Sequence, residues 1–158
     1  MRFAYKQLPA DWAPGGVIHR PIVELGISGP SGTCERWPAM ADTGLDVTLL
    51  TIHLAAALGV ELSMPETIFG LNERPLTIRF GNVDLSLRGD TEEYHWSTRV
   101  AFHTGADCRC YLGHQGFFDL FHVSFDKYHR RLTIRPHPHV AVSVALLSPR
   151  GSKKGRAR

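Results

Sequence analysis

The chain has 158 residues, enough for about one domain with a single core of ordinary size. Its 43% hydrophobic and 21% charged residues are those of an ordinary soluble domain and exclude disorder as a class, and no run of about 18 apolar residues exists that could span a bilayer. The formal charge of +3 sits largely in the tail Arg150–Arg158, whose five cations leave the rest of the chain slightly acidic, so the body offers no basic stripe for nucleic acid.

That tail, without aromatics, reads as a disordered, solubilising end. Three cysteines, Cys34, Cys108 and Cys110, are an odd number without a disulfide framework, which suits a reducing compartment. Met1–Ala10 has no apolar stretch of the signal-peptide kind. The expected location is the cytoplasm, with no membrane and no nucleic-acid partner.

In chain order, a Pro/Gly-rich entry (Pro9 to Gly16) precedes a strand over Val17–Ile27, rich in β-branched residues and closed by the turn Ser28-Gly-Pro-Ser-Gly32. A second strand is expected over Cys34–Ala41, running into the turn Asp42-Thr43-Gly44, and a third over Val47–Leu50. Ile52–Leu58 reads as a short helix, with Thr51 to cap it and Gly59 to stop it. From Glu66 to Phe102 the pattern is a β-meander: Thr67–Phe69, a turn over 70–75, Leu76–Phe80, turns at Gly81-Asn82 and Gly89-Asp90 around the alternating Val83–Leu87, then Trp96–Phe102. Tyr111-Leu112-Gly113 leads into a second short helix, Gln115–Phe121, and a strand pair, His122–Phe125 and Arg131–Ile134. The fold class is mostly β with one or two short helices.

Asp42 follows an apolar strand and precedes Thr43 and Gly44. A carboxylate there is either a turn cap or a catalytic group held on a tight loop. Two such carboxylates set face to face share a proton, and the pair can act as base toward a water and acid toward a leaving amine. One chain supplies only one.

Asp42-Thr-Gly-Leu-Asp-Val-Thr-Leu-Leu50 resembles the Asp-Thr-Gly-Ala-Asp-x-Thr signature of the retropepsin-like aspartic proteases, single-domain relatives of pepsin, and Tyr111-Leu112-Gly113 resembles their downstream hydrophobic-hydrophobic-Gly element. The resemblance spans roughly Val17 to Pro136 and is taken to a bacterial form of the family. It implies a closed acid-protease barrel over 17–136, an extension over 1–16, and a C-terminal extension over 137–158. It further implies a homodimeric endopeptidase acting on a peptide or protein substrate without metal or cofactor. In that picture Asp42 is catalytic, and Thr43 and Gly44 shape its loop. Asp46, Thr48, Leu112, Gly113 and His114 support the loop. Leu45, Phe69, Gly70, Leu71 and Asn72 belong to the substrate side, the last four on a hairpin flap over 67–74.

The chain departs from the family pattern in three places. Leu45 replaces the usual Ala and adds volume beside bound substrate; His114 replaces the usual Arg; the flap tip is polar, with Asn72, Glu73 and Arg74. A catalytically inactive, peptide-binding relative is therefore the alternative. In relatives the acid two residues past the catalytic Gly pairs with that Arg, so Asp46 and His114 are expected to meet in a pH-dependent brace. His103-Thr-Gly-Ala-Asp107 imitates the signature with the acid replaced, in a chain too short for a second lobe, and reads as a loop. Nine histidines and Cys108-Arg-Cys110 raise a metal site, but no spacing typical of metal ligands occurs, nor any Walker loop, Gly-x-Gly-x-x-Gly or Gly-x-Ser-x-Gly.

Overall fold

The computed structural model describes residues 1–69, 75–104 and 109–147. The described chain is mostly β. It opens with β1 (Arg2–Ala4) and the hairpin β2 (Lys6–Pro9) and β3 (Val17–Arg20), followed by β4 (Ile22–Ser28) and β5 (Cys34–Ala41). Next come β6 (Leu49–Thr51), the helix α1 (Ile52–Leu58), β7 (Glu66–Phe69), and the two long strands β8 (Pro75–Arg88) and β9 (Glu92–His103). β10 (Cys110–Leu112), β11 (Phe121–Asp126), β12 (Arg131–Pro136) and β13 (Ser143–Leu146) complete it.

The main sheet has the order β13-β9-β6-β10-β5-β4-β8-β7, and β8 also pairs with β9. Following the neighbours from β9 through β6, β10, β5, β4 and β8 therefore leads back to β9, a ring of pairings. These strands contribute much of the core, with residues such as Leu25, Ile27, Leu50, Leu85, Leu87, Phe102 and Leu112. Val83, Leu85 and Leu87 are buried while Asp84 is exposed, the period-two alternation of a strand with one face inward. α1 closes the core with Leu54, Ala55 and Leu58. A separate sheet, β1-β12-β11, packs on the core through Phe121, Leu132 and Ile134. β1 lies in the segment 1–16 read as an extension, and pairs with β12 from Arg2↔Thr133 to Ala4↔Arg131.

Cys34–Ala41 and Ile52–Leu58 fall where the sequence places them. Four expectations do not hold. The strand expected over Val17–Ile27 is broken at Pro21, which has no N–H to donate, into β3 and β4. No turn forms at Gly81-Asn82. β8 runs straight through, because Gly81 lets residues 60–62 cross closely: a Cβ there would stand 2.5 Å from Val60 Cγ1 and 3.1 Å from the Glu61 carbonyl oxygen. Thr51 occupies the N-cap position of α1 with extended backbone but makes no side-chain cap bond, and its buried Oγ1 has no partner among the described residues. Gly59 does end the helix, in the left-handed region at φ 67°.

The fourth concerns the second helix. Residues 114–120 form successive turns instead, with Phe118 N–H donating to the Gly113 carbonyl (3.1 Å) and Asp119 N–H to the His114 carbonyl (3.1 Å). Gly116 sits at φ 93°, which no α-helix contains, and the buried Trp96 Nε1–H holds its carbonyl at 2.9 Å. Phe117 then packs tilted against Trp96 and Phe121 edge-on to it, at centroid distances of 6.3 and 4.9 Å. Aromatic packing and one indole hydrogen bond take precedence over helix periodicity here.

Candidate active site

Topology builds the site. β10 lies between β5 and β6, parallel to the first (Leu112↔Ala41) and antiparallel to the second (Tyr111↔Leu49). The residues joining β5 to β6, Asp42 to Thr48, must therefore pass over the end of β10. The turn that follows β10 crosses beneath them.

The crossing is fixed by backbone. Asp42 N–H donates to the Leu112 carbonyl (3.1 Å), His114 N–H to the Leu45 carbonyl (2.8 Å), Gln115 N–H to the Asp46 carbonyl (2.8 Å), and Thr48 N–H to the Gln115 carbonyl (3.0 Å). The wholly buried Thr48 accepts the Gly113 N–H at its Oγ1, at 3.2 Å. Gly113 is the point of closest approach: a Cβ would lie 2.3 Å from the Val47 carbonyl oxygen and 2.9 Å from that of Leu45, so only glycine fits. Asp46, Thr48, Leu112, Gly113 and His114 thus all touch the loop or belong to it. Gln115 does the same work with both its backbone groups, and residue type could not have revealed a contribution made by backbone alone.

The expected Asp46–His114 brace is not what the loop uses. His114 Nε2 donates instead to the Thr43 carbonyl at 3.1 Å, its ring resting 5.5 Å from that of Phe118, and among the described residues no ion pair joins it to Asp46. A carbonyl only accepts, so Nε2 carries a proton in the neutral ring and in the imidazolium alike. Among the described residues the bond to Thr43 stands where the carboxylate brace is expected.

Within the loop, Gly44 N–H donates to Asp42 Oδ1 at 3.0 Å and Leu45 N–H to the Asp42 carbonyl at 3.3 Å, a turn closed by its own side chain. Asp42 is half-buried, Thr43, Gly44 and Asp46 are exposed, and among the described residues no side chain bonds Asp42 Oδ2. The carboxylate is oriented through one oxygen and open at the other. Beside it, Leu45 joins Val47, Ile68 and Leu76 against a small buried cluster of Leu49, Ile78 and Ala101. The arms of the hairpin read as a flap, β7 and β8, pack on the same cluster through Ile68 and Leu76. Phe69 ends β7, and Gly70, Leu71 and Asn72 lie outside the described residues.

A polar concavity of about 490 Å3 lies elsewhere, lined among others by Arg36, Asp84, Glu93 and His95 and by none of the loop residues. His103 is buried at the end of β9, its Nε2 donating to the Arg109 carbonyl at 3.1 Å. Gly105 to Cys108 lie outside the described residues. Cys34 is exposed and Cys110 buried. Among the described residues no three His, Cys, Asp or Glu side chains gather as metal ligands, and no helix is long and apolar enough to cross a membrane.

No family model matches the chain. No curated protein matches it either. Among solved structures, the EIAV protease complexed with the inhibitor HBY-793 is similar, at 20% identity and a TM-score of 0.43, over 60% of this chain and 82% of that one. That protein is retroviral, not bacterial.

Proposed function

We propose that the protein is an aspartic endopeptidase of retropepsin-like architecture, its ring of strands a closed barrel, assembled as a homodimer in which Asp42 of each chain meets the other at a two-fold axis. The observation that carries this reading is the Asp42 loop: a carboxylate oriented by Gly44 N–H, open at Oδ2, and locked in place by the turn after β10. A structural cap would need no such lock.

In the dimer the two Asp42 carboxylates share one proton. The ionised one takes a proton from a water whose oxygen attacks the scissile carbonyl carbon, while the protonated one gives its proton to the carbonyl oxygen. The resulting gem-diol collapses as the amide nitrogen takes a proton and the C–N bond breaks. No acyl-enzyme forms. An extended peptide lies between this floor and the β7–β8 hairpin, its side chains reaching the apolar cluster beside Leu45.

Leu45 itself favours a second reading, a peptide-binding relative without activity, because its bulk adds to the apolar floor next to the carboxylate. Cleavage of a peptide library at acidic and neutral pH by wild type and Asp42→Asn separates the two. Cleavage by wild type alone is expected. Full activity in a folded Asp42→Asn protein would end the aspartic mechanism, and binding without cleavage by wild type would select the second reading.

A further inference from the structure

The hairpin β2–β3 stands apart from the rest of the fold. Among the described residues its strands pair only with each other, and a two-stranded ribbon is marginal in water unless something packs on it. Leu8 is opposite Ile18 and Lys6 opposite Arg20, and residues two apart share a face, so these four side chains lie on one side. Leu8 and Ile18 are only partly buried and join neither apolar cluster of the domain.

The tip is nevertheless tightly built. Ala10 N–H donates to the Gly16 carbonyl, Ala13 N–H to the Ala10 carbonyl and Gly16 N–H to the Ala13 carbonyl, each at 2.9 Å, with Gly15 and Gly16 in the left-handed region. This ordered turn holds Trp12 out at 77% exposure. A large aromatic displayed on a fixed turn is the kind of residue that anchors an interface.

The hairpin is rooted at the candidate site. The carbonyl of Pro21, which joins β3 to β4, accepts the N–H of Ala41, the residue before Asp42, at 3.0 Å. Its base is held by Lys127 Nζ donating to the His19 carbonyl (3.2 Å) and Tyr5 N–H to the Arg130 carbonyl (2.8 Å). From that root the four residues of β3 reach about 13 Å at about 3.3 Å per residue. A two-fold axis that joins two Asp42 side chains therefore brings the second body within reach of this hairpin. The charges agree, since Lys6 and Arg20 flank the apolar pair and the loop around each Asp42 also carries the exposed Asp46.

We propose that the hairpin Lys6–Arg20 is a docking arm for a second copy of this chain, seating Trp12, Leu8 and Ile18 on the other protomer beside its Asp42 loop; this rests on the dimer reading above. The site is then completed by the arm as well as by the second carboxylate. Sedimentation velocity over a dilution series of wild type, Trp12→Ala and the double variant Leu8→Ser/Ile18→Ser tests it. The expected result is a dimer dissociation constant raised roughly tenfold or more in both variants, with unchanged far-UV circular dichroism. A dimeric wild type whose variants dissociate at the same concentration would overturn the arm and leave the dimer standing. A wild type that stays monomeric throughout would overturn both. Binding to phosphatidylserine vesicles that Trp12→Ala alone abolishes, with the dimer untouched, would assign the arm to a lipid surface and overturn the proposal.

Discussion

Thr48 is wholly buried, and its hydroxyl accepts the N–H of a glycine that has no room for a methyl group. Thr48→Val keeps the volume but removes the acceptor, leaving the Gly113 donor buried without a partner, which costs on the order of 1–3 kcal/mol. Urea denaturation measures this directly, and a loss below about 0.5 kcal/mol would show that the loop does not depend on the bond. Gly113→Ala acts through sterics, since its Cβ would meet the Val47 carbonyl at 2.3 Å. It is expected to displace the Asp42 loop and abolish cleavage in a protein that otherwise retains its β circular dichroism. Activity near the wild-type level would mean that the crossing is looser than its geometry. His114→Gln supplies a side-chain N–H donor that can bond the Thr43 carbonyl, so it is expected to keep most of the activity that His114→Ala loses. Equal losses in the two variants would remove this bond from the account.

Among the elements, the β11–β12 turn carries a titrating cap. Asp126 Oδ1 accepts the His129 N–H at 2.9 Å and Oδ2 meets the ring Nδ1 at 2.6 Å. The backbone hydrogen bond, then the bond from the ring, hold the Asp126 carboxyl below its usual 3.8, with the charges of His129 and Arg131 adding to the effect. A carboxylate depressed in the folded state contributes stability above its unfolded value, and the contribution is lost as pH falls through the folded value. Asp126→Ala should therefore lower the melting temperature at neutral pH and make little difference once the pH is below the folded value. An equal effect at both would remove the carboxylate from the account. The elements also show what sequence can and cannot reveal. Cys34–Ala41, Ile52–Leu58 and the Gly89 turn were legible because their signals are local: alternation, a helix closed by Gly59, a turn glycine. Gly81 and Gln115–Phe121 misled because their backbones answer to distant partners, the crossing of residues 60–62 and the indole of Trp96. The same holds at the site. Asp42, Gly113 and Thr48 could be singled out in sequence, whereas the bond from His114 to Thr43 rather than Asp46 depends on how two loops cross.

For the whole molecule, Tyr94 joins the long hairpin to the β1-β12-β11 sheet, stacking on Phe121 at 5.7 Å. Burial, then the hydrogen bond and charge of Glu92, push its phenol up to about 12. A phenol raised in the folded state stabilises fully below its unfolded value near 10 and loses that contribution as pH rises toward the folded value. Tyr94→Phe should thus flatten the alkaline limb of stability between about pH 10 and 12. Identical alkaline limbs in the two proteins would contradict it. The larger claim is that one chain holds half of a catalytic site, and mixing chains tests it most directly. Wild type and Asp42→Asn are combined at fixed total concentration, allowed to exchange subunits, and assayed for cleavage. If each site needs one Asp42 from each of two chains, heterodimers are dead and activity falls as the square of the wild-type fraction, so an equal mixture retains about a quarter of it. A linear decline, with half the activity left in the equal mixture, would mean that each chain works alone.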